Sequence, residues 1–385
     1  MRIIGLFKPN LNKFILVFAI LSFSSAILFA NEPAKKADSE HADAIVEVQD
    51  STAVVAENAP AAHENAEEEK FNPSELILEH IADSHDWHLW GHTSLPLPII
   101  LYTPKGLEVF SSSHFHHGEH PYTTANYTYK IEENKIVVLN AANEVDEAAT
   151  KTIIDISITK NVCSLLISVA LLLFIFLSVA NAYKNTVGKA PKGFQSMIEP
   201  IILFVRDDVA KPNLGKKYAK FMPFLLTVFF FIWINNMMGL IPFFPGGANV
   251  SGNIAFTMVL ALVTFIVITV NGGKVYWSHI FAPHVPWWLY PLLVPVEIFG
   301  MFTKPIALMI RLFANITAGH ILVLSLISLI FIFKSAAIAT VAVPFTVFIS
   351  VIELLVAFLQ AYIFTMLAAL FIGMAVEEPH AADHH

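Results

Sequence analysis

PLLVPVEIFGMFTKPIALMIRLFANITAGHILVLSLISLIFIF (residues 291–333) is an apolar run too long for one upright membrane crossing. As a helix rising 1.5 Å per residue it extends about 64 Å, roughly twice the ~30 Å hydrocarbon thickness of a bilayer. Residues 344–376 form a second such run, about 50 Å long by the same rise. Together they predict a long hairpin slanting steeply through a membrane. Pro305 bends the first arm without ending it, as prolines in membrane helices do. The rest of the chain agrees. No charged residue lies between Lys220 and Lys274, and residues 161–183, 312–333, 335–352 and 354–376 contain no Lys, Arg, Asp or Glu. A soluble core would alternate apolar and charged faces at helical spacing, and a chain that is 56% hydrophobic with charge confined to a few places does not. The pattern predicts an all-α polytopic membrane protein with about five helices: 158–182, 221–242, 252–271 and the two arms of the hairpin.

The flanks fix an orientation. Arg2, Lys8 and Lys13 precede the apolar run 14–30, the layout of a signal peptide over residues 1–30, with an uncleaved anchor as the alternative. Residues 31–153 hold 22 of the 31 acidic residues, seven lysines and no arginine. They read as an exported, periplasmic acidic and His-rich extension. Its first part, to Lys70, has the composition of a disordered spacer, and Asn72-Pro73-Ser74-Glu75 offers a helix start. Short strands are expected at 99–103, 108–112, 127–131 and 136–139, giving a small folded module. The segment from Lys184 to Lys220 carries eight Lys or Arg residues, which places it in the cytoplasm by the positive-inside rule. The membrane domain then spans 154–376, and 377–385 form a cytoplasmic tail. A multi-pass protein of a bacterial inner membrane follows.

Ionisable groups inside spans cost about 2.5–3.5 kcal/mol each at a helix centre and are functional candidates by default. Beyond Phe221 the embedded set is small: Glu297, Lys304, Arg311, His320 and Glu353. On a 100° wheel Glu297, Lys304 and Asn315 fall within about 40° of Arg311, and His320 falls about 180° away. Glu297 lies about 21 Å from Arg311 along the axis, too far for a direct bond. Glu353 and Gln360 share a face of the second arm. By depth, Glu297 lies toward the cytoplasm, Arg311 and Gln360 near the middle, and His320 and Glu353 toward the outside. Groups able to exchange protons thus stand on both sides of a fixed positive charge, the arrangement of two offset half-channels. A buried His320–Glu353 pair that only stabilises the hairpin is compatible with it.

KPIALMIRLFANITAGH (304–320) closely resembles the signature helix of the F-type ATP synthase a subunit family. LQAYIF (359–364), AVEE (375–378), NNMMGLIP (235–242) and KGFQ (192–195) with Glu199 resemble further motifs of that family, over about 154–378. The resemblance implies a non-catalytic stator subunit of a proton-translocating ATP synthase. It implies the c-ring rotor, the b-subunit peripheral stalk and the rest of the complex as partners, and no cofactor. It implies that Arg311 faces the ring while Glu297, Asn315, His320, Glu353 and Gln360 line or flank the proton path. Many bacterial members carry Glu and His exchanged at the positions of His320 and Glu353, which suggests that the two residues are spatial partners.

His114, His116, His117 and His120 beside Glu119 form an H-x-H-H-x-x-H run that could hold a transition metal, although a solvated loop is the plainer reading, so no metal is expected. His80, His85 and His88 are a weaker group. The single Cys163 excludes a disulfide framework. A stand-alone channel or secondary transporter is the main alternative function, and would be favoured by an inverted repeat that the sequence does not show. A membrane-anchored periplasmic sensor is the other, but anchoring needs neither five spans nor an embedded arginine.

Overall fold

A computed structural model describes residue 77 and residues 81–376, apart from 91–92, 119, 133, 186–189, 242–243 and 284 and the side chains at 90, 117 and 185. The expected signal peptide, acidic spacer, helix start at Asn72 and tail 377–385 lie outside the described residues.

The chain begins as a small β-rich module. Its strands are β1 (Asp86–Trp90), β2 (Thr93–Pro96), β3 (Pro98–Thr103), β4 (Gly106–Ser111), β5 (Tyr122–Thr123), β6 (Thr128–Glu132), β7 (Lys135–Leu139) and β8 (Ile154–Asp155), with one helical turn, α1 (Glu147–Thr150), before β8. They form three antiparallel sheets, β1-β2, β4-β3-β8 and β5-β6-β7. Alternation along β3 sends Ile99 and Leu101 into a core shared with Phe115, Tyr129 and Val138, while Tyr102 stays exposed. The four expected strands are present as β3, β4, β6 and β7. The β1-β2 hairpin is additional. Its mixed Trp/His sequence conceals a period of two, in which Trp87 is buried and His88 exposed.

The remaining helices are α2 (Lys160–Asn185), α3 (Phe194–Phe204), α4 (Lys211–Leu214), α5 (Tyr218–Leu240), α6 (Ile254–Asn271), α7 (Lys274–Phe281), α8 (Tyr290–Phe333) and α9 (Ala336–Val376). Among the described residues five helical stretches are long and apolar enough to cross a membrane. α5 stands at the centre. A helix apolar all round is buried on all sides, and three consecutive phenylalanines show how. Phe230 meets Phe176 of α2 at 5.0 Å, Phe229 meets Phe358 of α9 at 5.7 Å, and Phe231 meets Phe256 of α6 at 5.5 Å. Successive 100° steps direct each ring to a different neighbour.

α8 and α9 have 44 and 41 residues, about 66 and 61 Å at 1.5 Å per residue. Neither is broken. Pro295 and Pro305 lie within α8, and Pro344 lies within α9. The second arm therefore starts at Ala336, earlier than the expected 344, because neighbouring helices and local adjustment let a membrane helix absorb a proline.

From Phe194 to Lys220 the chain is also more ordered than its charge suggests. α3 continues through a π-helical turn, Val205–Ala210, into α4. Ile198, Ile202, Val205 and Val209 form a buried stripe at helical spacing. Asp207 takes ion pairs from Arg206 and Lys211 at 2.7 and 2.5 Å.

The module is fastened to the first membrane helix by that helix's own unpaired amides. The N–H of Lys160 donates to the Ser84 carbonyl (2.8 Å), and the N–H of Asn161 donates to Asp83 Oδ1 (2.9 Å). An N-cap is thus supplied from far upstream. His85 Nε2 and Asp155 Oδ2 pair at 3.1 Å beside it. Trp87, 2% exposed, joins the membrane core and meets Phe244 edge-on at 5.0 Å.

Burial pushes the Asp83 carboxyl above its usual 3.8, against the opposing pull of Thr159, the Asn161 amide, Lys160 and His85. A folded-state value raised above the unfolded one means that stability is lost as pH rises from the unfolded value through the folded one. At neutral pH the ionised Asp83 is therefore disfavoured while its oxygen is still needed as a cap. We expect Asp83→Asn, which keeps the acceptor, to hold or raise thermal stability in detergent at neutral pH. Asp83→Ala should lower it by about 0.5–2 kcal/mol, the worth of a lost cap. Equal losses in the two variants would mean that the charge, not the cap, holds the junction.

Candidate proton path

The antiparallel packing of α8 on α9 sets the depth of each polar group. Measured from the tip between the two helices, His320 lies about 20 Å along α8, and Glu353 about 26 Å along α9. Arg311 and Gln360 stand level at about 33 and 36 Å, and Glu297 lies about 54 Å away. His320 and Glu353 do meet across the hairpin. Nδ1 and Oε1 are 3.9 Å apart, beyond a direct hydrogen bond. Glu353 is 7% exposed.

Two glycines line this approach. A Cβ on Gly319 would lie 2.7 Å from Glu353 Oε1, so any larger residue would force the carboxylate to shift. A Cβ on Gly239 of α5 would lie 3.4 Å from the Ala248 carbonyl and 3.7 Å from His320 Nε2. One turn beyond Glu353, Asn236 Nδ2 donates to the Ala357 carbonyl at 3.1 Å and ties α5 to α9. Thr317 Oγ1 reaches the Gly252 carbonyl at 3.4 Å. The NNMMGLIP motif thus lies beside the His320–Glu353 pair. Sequence spacing alone could not reveal this, since the contacts cross helices.

Arg311 and Asn315 share an exposed face of α8 with Thr303, Ala307, Ala314 and Ala318. Gln360 is buried, so it does not share that open surface. Arg311 forms no hydrogen bond or ion pair with the described residues of this chain. An always-protonated guanidinium is therefore displayed among small side chains that let a neighbouring surface come close.

Glu297 pairs with neither Arg311 nor Lys304 in this structure. Its Oε1 lies 3.0 Å from His279 Nδ1 on α7, and Lys304 instead sits 5.5 Å over the Phe371 ring. His279 is the site residue that sequence reasoning missed. It lies on a short helix with no spacing relation to Glu297, and only the fold brings the two together.

The far end of α9 is clamped. Lys217 Nζ donates to the Val376 carbonyl and Gly273 N–H to the Ala375 carbonyl, both at 2.8 Å. The Asn213 carbonyl sits so close to Gly373 that any Cβ there would collide with backbone.

In the histidine run, which lies on a 3₁₀ helix, Ser112–Gly118, His114 stacks on Tyr122 at 4.4 Å, and His116 meets His120 edge-on at 5.6 Å. Among the described residues no three His, Cys, Asp or Glu side chains converge as metal ligands.

Comparison with known proteins separates the chain into two parts. Residues 76–156 match a domain of unknown function, DUF8433. Residues 162–373 match the family described as ATP synthase A chain. ATP synthase subunit a of Chloroherpeton thalassium is 49% identical over 237 residues, covering 60% of this chain and 70% of that protein. ATP synthase subunit a 2 of Prosthecochloris aestuarii is 50% identical over 237 residues, covering 60% and 72%. The Myxococcus xanthus ATP synthase subunit a is 44% identical over 239 residues, covering 60% and 77%. With the five membrane helices, the matched signature helix and these relatives in agreement, the chain belongs to the ATP synthase A chain family, as an a subunit of the F-type complex.

Proposed function

We propose that this a subunit carries protons between two offset half-channels and the rotating c ring, with Arg311 as the stator charge between them. The carrying observation is the His320–Glu353 pair, 3.9 Å apart on opposite arms of the hairpin and well separated from Glu297. A proton arriving from the periplasm passes His320 and Glu353 to a ring carboxylate, which can then face lipid in its neutral form. After rotation that carboxylate meets Arg311. A fixed neighbouring cation lowers a carboxylate's pKa, so the proton leaves toward Glu297 and the cytoplasm. Arg311 also repels protons that would otherwise cross directly. Asn315 and Gln360 flank the step at Arg311's level. The subunit breaks no covalent bond. Each proton crossing 100 mV delivers about 2.3 kcal/mol, so several are needed per ATP made. The ring, the b-subunit stalk and the rest of the complex are the proposed partners. The proposed setting is a bacterial inner membrane, with residues 31–153 periplasmic and 377–385 cytoplasmic.

Arg311→Ala should abolish coupled ATP synthesis while the protein still inserts. Arg311→Lys should fail too, because lysine is a compact charge that can lose its proton when buried. Normal ATP-driven proton pumping by Arg311→Ala vesicles would defeat the assignment.

His320→Glu and Glu353→His should each impair proton flux by leaving two like groups in the pair, and the double exchange should recover part of it. A double-mutant cycle reads the coupling. Simple multiplication of the two losses would show that the residues act independently.

Orientation is tested with single cysteines in a Cys163-free background. In intact cells with a permeable outer membrane, an impermeant thiol reagent should label Ser113→Cys and Gly247→Cys. Ser196→Cys and Ala381→Cys should label only after the inner membrane is opened. Outside labelling at residue 381 would sink the half-channel scheme.

A further inference from the structure

We propose that His279 carries protons between Glu297 and the cytoplasm, at the mouth of the inner half-channel. The inference rests on the exit-side role given to Glu297 above. Two geometric facts support it. His279 Nδ1 lies 3.0 Å from Glu297 Oε1, within proton-transfer reach. The imidazole is also 73% exposed while the carboxylate is 37% exposed, so the histidine offers the more open edge through which the relay would reach bulk water.

The fold holds the ring there for identifiable reasons. Gly273 N–H donates to the Ala375 carbonyl and sets the start of α7 against the end of α9. Trp277 and Phe281 stack at 5.8 Å along α7. Tyr276 and Lys274 are the other titratable groups of α7, and Tyr290, Glu297 and Lys304 are those of the nearby stretch of α8. The last described turn of α9, Met374, Ala375 and Val376, brings none. Burial, and after it the Glu297 charge, pushes the Tyr276 phenol up, so it stays a neutral donor and does not compete as a carrier.

The step balances. Protonated Glu297 gives its proton to the Nδ1 lone pair, leaving carboxylate and imidazolium. The imidazolium then releases a proton from its exposed edge to water, and exchange with water restores the starting tautomer. Under ATP hydrolysis the sequence reverses. Histidine suits the task because its unperturbed pKa lies near neutrality. The carboxylate alone, facing water that holds few protons at neutral pH, would exchange more slowly.

The test uses the assembled complex in inverted vesicles, with ATP-driven proton pumping measured per complex in weakly buffered medium across the neutral pH range. In His279→Ala the rate should fall about threefold to tenfold. That is short of the roughly hundredfold of a positioned acid–base group, because water substitutes in part for an exposed imidazole. The deficit should grow as pH rises, and imidazole in the outer medium should restore the rate where the same ionic strength of salt does not. His279→Gln, which keeps a hydrogen-bonding side chain but cannot titrate, should be as slow as alanine and equally rescued. Wild-type rates in His279→Gln, or no rescue by imidazole, would reduce the residue to a structural contact and overturn the proposal. A slow Glu297→Gln beside a full-rate His279→Ala would overturn the relay while leaving the exit reading intact. Full rates in both would remove the exit reading itself.

Discussion

Hydrocarbon offers no hydrogen-bond partners, so every amide within it must be satisfied by its own helix. The rest of the membrane domain depends on that constraint. It forbids α8 and α9 from ending inside the bilayer, and their 44 and 41 residues exceed what an upright crossing needs. The length of α8 spaces its polar groups widely along the axis, so a single helix carries Glu297, Arg311 and His320 in order. The prolines at 295, 305 and 344 interrupt single bonds of the ladder, yet neither helix breaks.

Close contacts do the positioning. Gly319 admits the Glu353 carboxylate to α8, and Gly239 brings α5 beside His320. The three phenylalanines of α5 fix the neighbours of that central helix. The polar pair is therefore set within a largely apolar scaffold, and Arg311 is left on a face that the described residues do not cover.

The number of spans, the long hairpin and the strands β3, β4, β6 and β7 were legible in the sequence, because uncharged runs and a period of two are local signals. The embedded ionisable residues were legible for the same reason. Apart from the His320–Glu353 pairing, which the family resemblance suggested, meetings of distant segments were not legible. Asp83 capping α2 and His279 reaching Glu297 have no periodic trace. The helical path from Phe194 to Tyr218 was hidden for a different reason: its lysines mask the apolar stripe at 198, 202, 205 and 209. The early start of α9 was hidden by Pro344, which marks a boundary in soluble helices but not in this one.

The clamp at the end of α9 has a mechanical consequence. Lys217, Gly273 and the Asn213 carbonyl seated at Gly373 grip one end of a rod about 60 Å long. The grip is not the rod's only fixing, since Asn236 of α5 also holds α9 near its middle, at the Ala357 carbonyl. A sideways load on the hairpin is therefore divided between that tie and the backbone contact at Gly373, and the span between them has the stiffness of a rod held at two points.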